Sequence, residues 1–178
     1  MNTLGKVVIV FGGYAAALLV ANILVAIRVA HTSGPDAQAS AGMYAWGDFT
    51  LFAWSFGLMA LIPTALGLYF LRPYEKVWTV LSVVSLAVAT TGLVGAGAAA
   101  LVPHLQLPGS TWEMVAGLGF LRALGAPLLA LGFFTGAALA PARRSRWALL
   151  VAGGFECAAT AYVIIHLWVA RMPYHHLP

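Results

Sequence analysis

Long stretches without charge decide what this chain can become. Residues 7–27, 49–71 and 77–102 contain no Asp, Glu, Lys or Arg, and residues 114–140 and 147–170 contain one each, Arg122 and Glu156. A helix rises about 1.5 Å per residue, so a run of roughly 20 apolar residues matches the hydrocarbon thickness of a bilayer. A soluble helix of that length would need a polar face. Spans are therefore predicted at about 7–30, 49–71, 77–102, 114–140 and 147–170. The expected fold is an all-α integral membrane protein, a bundle of about five transmembrane helices.

Composition narrows the reading. The 178 residues are 62% hydrophobic and 8% charged, where a soluble domain carries about a quarter charged residues. The spans use most of the chain, which leaves a single transmembrane domain, 1–178, and no room for a soluble one. The net charge of +4 comes from basic residues at span ends. It reads as topology rather than as a nucleic-acid surface, so the expected surroundings are the lipid bilayer and other membrane subunits, with no nucleic acid. Lys6 and the small-residue triplet Ala39-Ser40-Ala41 resemble parts of a signal peptide. The apolar run between them exceeds the roughly 7–15 residues of a signal core, and an uncleaved first span is expected. Cys157 is the only cysteine, so no internal disulfide can form.

Alternate connections lie on the same side of a membrane. Lys6, Arg72, Lys76, Arg143, Arg144 and Arg146 then share one side, and Arg28 and Arg171 the other. The positive-inside rule puts the larger set in the cytoplasm, giving N-terminus in and C-terminus out. Trp78 and Trp147 would mark the inner interface, and Trp46, Trp112 and Trp168 the outer one. The Ala-rich spans and short loops suggest a bacterial inner (plasma) membrane.

Two segments resemble each other internally. Pro63-Thr64-Ala65-Leu66-Gly67-Leu68-Tyr69-Phe70 and Pro127-Leu128-Leu129-Ala130-Leu131-Gly132-Phe133-Phe134 are each followed by a basic turn and a Trp. One helix plus two related helical hairpins, spans two–three and four–five, would produce this pattern. Small residues recur every fourth position as Gly13/Ala17/Ala21, Thr91/Gly95/Ala99 and Gly132/Gly136. Such spacing lets helix backbones approach closely in lipid, against this chain or against another.

A few polar residues stand out in this setting. Glu156 falls near mid-bilayer, where an acidic residue costs about 2.5–3.5 kcal/mol on insertion scales and so faces protein or water. It reads either as a carboxyl that carries protons or binds a ligand, or as a hydrogen-bonded pin between helices; Ser85, Thr90 and Thr160 lie at similar depth. Arg122, about two turns into span four, has several alternatives: snorkelling to the headgroups, or pairing with Glu113, Asp48 or Glu156. His31, His104, His166, His175 and His176 all fall at or beyond the outer interface, with Asp36, Asp48 and Glu113. That set could hold a transition metal through His31, His175 and His176, or a haem with His104 and His166 as axial ligands. No HxxxH, HExxH, phosphate-binding glycine loop or nucleophile elbow accompanies them.

The leading expectation is a non-catalytic membrane subunit or scaffold that packs against other membrane proteins. A haem- or metal-binding redox protein with its site at the outer face is the second. A small proton-coupled transporter using Glu156 and Arg122 is the third.

Overall fold

The structure, a computed structural model, describes the backbone of residues 2–32, 40–105 and 110–171, and the side chains of 2–32, 40–97, 122 and 124–165. Among the described residues it is all-helical: α1 Thr3–His31, α2 Ala41–Phe70, α3 Glu75–Leu105, α4 Ser110–Leu139 and α5 Arg143–Arg171. Thr3–His31, Ala41–Phe70, Glu75–Gly97 and Arg143–Ile165 are long and apolar enough to cross a membrane, and Leu124–Leu139 is a shorter apolar stretch.

Every helix is longer than its charge-free run. The loop expected over 31–48 is helical from Ala41 onward. Met43, Tyr44 and Trp46 continue the helix past the charge-free stretch, which alone marked the boundary in sequence. At the start of α1 the Asn2 side chain accepts the Gly5 N–H at 2.9 Å, capping the helix. Arg28 and His31 occupy the last turn of α1, where positive charge complements the helix dipole. Pro63 and Pro127 both lie inside continuous helices. Membrane helices tolerate this because neighbouring groups re-satisfy the freed backbone.

The helices group into two compact units, residues 1–71 and 72–178. In the first, α1 packs on α2 as an antiparallel pair. Its seam reads from one end to the other: Lys6 Nζ lies 5.4 Å from the centroid of the Phe70 ring, and Val10 faces Gly67. Next, Gly13 abuts Pro63 and the Tyr14 and Thr64 hydroxyls hydrogen-bond at 2.7 Å. Ala17, Ala21 and Ala60 are buried. The Gly13/Ala17/Ala21 stripe is thus the face that α1 turns to α2. A Cβ on Gly13 would sit 2.8 Å from Pro63 Cβ, so glycine is what allows this approach.

In the second unit α3, α4 and α5 each pack against the other two. Their buried positions recur mostly at intervals of three or four: Trp78, Ser82, Ser85, Ala89 and Gly92 on α3; Ala126, Ala130 and Ala137 on α4, with Ala140 just past its end; Ser145, Leu149, Ala152, Glu156 and Ala159 on α5. This is the spacing of helices that cross at a small angle, and nearly every residue in it is small. Two expectations change here. Trp78 is 1% exposed and fills the seam instead of marking an interface; its position one turn into α3 falls on the inward face. Of Thr91/Gly95/Ala99, Thr91 is exposed and Gly95 buried, and the Ala99 side chain lies outside the described residues. The two helices of the first expected hairpin, α2 and α3, belong to different units.

Candidate functional site

The second unit buries a charged pair at the middle of its helices. Arg122 is the thirteenth residue of α4 and Glu156 the fourteenth of α5. Both lie on the inward seam, Arg122 one turn before Ala126, and Glu156 between Ala152 and Ala159. The tight link over residues 140–142 makes α4 and α5 antiparallel neighbours and brings their midpoints level. Arg122 Nη1 donates to Glu156 Oε2 at 3.0 Å, and Nη2 donates to Oε1. Nη2 also donates to the backbone carbonyl of Val88 on α3 at 3.1 Å. One guanidinium therefore ties all three helices together.

Glu156 is completely buried, and the Arg122 side chain is 21% exposed. Gly92 of α3 makes room for the pair. A Cβ there would lie 3.4 Å from Glu156 Oε2 and 3.6 Å from Arg122 Nη2, so a larger side chain would press on both charges. On α5 itself the Thr160 hydroxyl donates to the Glu156 carbonyl at 2.8 Å, a bond to backbone and not to the carboxylate. Thr90 is likewise spent on its own helix, donating to Leu86 O. Of the alternatives for Arg122, the structure selects Glu156 and turns the side chain inward. The partner of Glu156 is accordingly the Arg122 cation, and the Thr90 and Thr160 hydroxyls at similar depth are turned to backbone carbonyls.

The first unit carries a second arginine–carboxylate pair. Arg28 Nη1 lies 3.0 Å from Asp48 Oδ1, with side-chain exposures of 34% and 24%. It joins the last turn of α1 to the early turns of α2. Gly47 lies directly against the guanidinium, and a Cβ there would fall within 3 Å of its atoms. No sequence motif marked this contact. Its only signal was an Arg and a Gly-Asp dipeptide flanking one loop.

The candidate ligand residues fare differently. His31 is exposed, and its Nδ1 is 2.7 Å from Ile27 O on its own helix. The side chains of His104 and His166, and all of His175 and His176, lie outside the described residues, as do those of Asp36 and Glu113. Among the described residues no three His, Cys, Asp or Glu side chains converge as a metal site. The glycine pair on α4 also divides. Gly136 is buried in its own unit, whereas a Cβ on Gly132 would meet nothing within 4 Å.

No family model, no curated protein and no solved structure matches the chain.

Proposed function

We propose that the chain is a non-catalytic integral membrane subunit that packs against other membrane proteins. In this reading it crosses a bacterial inner membrane five times, N-terminus inside and C-terminus outside. The carrying observation is glycine without an internal use. Gly12, Gly132 and Gly154 lie on helix surfaces where an added Cβ would touch nothing within 4 Å. Glycine in a helix interior costs about 1 kcal/mol relative to alanine. Close approach of an outside helix backbone is the gain that offsets such a cost in lipid. The mid-helix charges support the same reading, because Arg122 and Glu156 are spent on each other and on Val88 O. Extensive apolar exposure, including Phe11, Ile62, Val80 and Ile165, each above 60%, suits a lipid-facing or partner-facing surface.

Extraction in mild detergent, native electrophoresis and mass spectrometry of the band test the proposal. The expected result is a large particle with other membrane proteins, lost when Gly132 and Gly154 are replaced by Leu. A small particle containing this chain alone would overturn it.

A second reading, a small proton-coupled transporter, takes the Arg122–Glu156 pair as its working site. The one-fifth exposure of the Arg122 side chain favours it, since the pair is not wholly enclosed. Exchanging the two residues discriminates: a pin between helices tolerates Arg122→Glu with Glu156→Arg better than either change alone, whereas a transport site loses its activity in both.

A further inference from the structure

The same register that aligns the charged pair gathers a set of unpaired cations at one end of the second unit. α3 and α5 flank α4 and run parallel to each other. Val88 and Glu156 meet through Arg122, and each lies twelve residues, about 18 Å of helix, from Lys76 and Arg144 respectively. The starts of α3 and α5 are therefore level. Around them stand Arg72, Lys76, Arg143, Arg144 and Arg146, against the single carboxylate of Glu75, and all six are exposed. Arg146 donates to Ala140 O at 3.1 Å, closing the end of α4. Among the described residues the other four cations have no ion-pair partner, the two salt bridges being Arg28–Asp48 and Arg122–Glu156.

We infer that this end of the unit is a binding site for the headgroup of an anionic phospholipid, best a doubly charged diphosphatidyl lipid whose two phosphates match the four free cations. Two features favour a lipid over a soluble anion. The cations sit at the ends of apolar helices, at the depth of headgroups. Tyr74 and Trp147, 60% and 57% exposed, flank them as ring side chains do at a membrane interface. Basic clusters at this position attract anionic lipid. The site rests on the membrane-embedded part of the proposed function but not on partner subunits, and it is measured on the isolated chain, so the two can fail separately.

The test is native mass spectrometry of the full chain, released from micelles with dioleoyl cardiolipin, phosphatidylglycerol or phosphatidylcholine. Inorganic pyrophosphate is a further arm. Retention in the order cardiolipin, phosphatidylglycerol, phosphatidylcholine is expected. Each basic residue near a membrane surface contributes roughly a fivefold change in binding, so Arg143→Gln with Arg144→Gln should weaken cardiolipin about 30-fold. The paired Arg→Lys variant should keep it, and it also guards against altered insertion. Equal retention of phosphatidylcholine, unchanged affinity in the Gln variant, or displacement of cardiolipin by equimolar pyrophosphate would each overturn the site.

Discussion

Among the described residues each unit holds one arginine–carboxylate pair, and the two pairs solve different problems. Arg28–Asp48 sits where α1 ends and α2 begins, one-quarter to one-third exposed, with its guanidinium against Gly47. Arg122–Glu156 sits at the centre of three helices, with Glu156 wholly enclosed and a third helix supplying both a carbonyl and the glycine that makes room. The first pair, being partly exposed, can exchange either partner for solvent. The second cannot, because the enclosed Glu156 carboxylate has no other donor within reach among the described residues. The chemistry is the same, but surroundings set the energy. The exposed pair is expected to contribute about 0–1 kcal/mol. Removing one side of a buried pair typically costs about 3–5 kcal/mol, since the other charge stays behind unpaired.

The largest expected effect follows directly. Glu156→Gln leaves Arg122 facing Val88 O and an amide, and should cost about 3–5 kcal/mol. The readout is the thermal unfolding midpoint of the protein in detergent, together with its level in the membrane. Arg122→Gln alone should be similarly damaging, while the double Gln variant should recover much of the loss, since two amides can hydrogen-bond without charge. A double variant as unstable as the sum of the singles would show that the pair is not coupled.

Next come the glycines that permit close approach. Gly13→Ala would push a Cβ to 2.8 Å from Pro63 Cβ, and the proline ring has no rotamer by which to retreat. Overpacking of this kind costs about 1–3 kcal/mol. Gly92 behaves differently, because the nearest atom to its Cβ is at 3.4 Å. Gly92→Ala should be tolerated, and Gly92→Leu should cost about 1–3 kcal/mol by displacing the charged pair. Midpoints for the three variants should rank Gly92→Ala highest. If Gly13→Ala matched wild type, the close helix approach in the first unit would be wrong.

These contrasts bear on what the sequence revealed. The long apolar helices were legible because charge-free runs of this length have few other uses. The Gly13/Ala17/Ala21 stripe was legible because its period is that of a helix face. Arg122 and Glu156 were conspicuous as charges in apolar runs, yet their pairing was one alternative among several. Pairing depends on the relative register of two helices, which the link at 140–142 and the seam of small residues set together. Gly92 and the Val88 carbonyl were invisible for a related reason: a glycine among Thr90, Thr91 and small neighbours has no period of its own, and a carbonyl has no side-chain signature. Trp78 misled because an interfacial tryptophan and a seam-filling one look alike at the end of a span. Gly132/Gly136 carried a true spacing, but only Gly136 faces inward.

The smallest effect belongs to the exposed pair, and it sharpens the comparison most. Asp48→Asn should shift stability by no more than about 1 kcal/mol, and added salt should narrow even that difference by screening partly exposed charges. Arg28→Gln removes the same ion pair but also the planar group lying on Gly47, so it should cost slightly more than Asp48→Asn. The excess, unlike the ionic part, should survive at high salt. Unfolding midpoints of both variants at low and high ionic strength measure the two contributions separately. A salt-independent loss of several kcal/mol in Asp48→Asn would mean that this pair is enclosed as completely as Arg122–Glu156. The difference between the units would then lie in something other than burial.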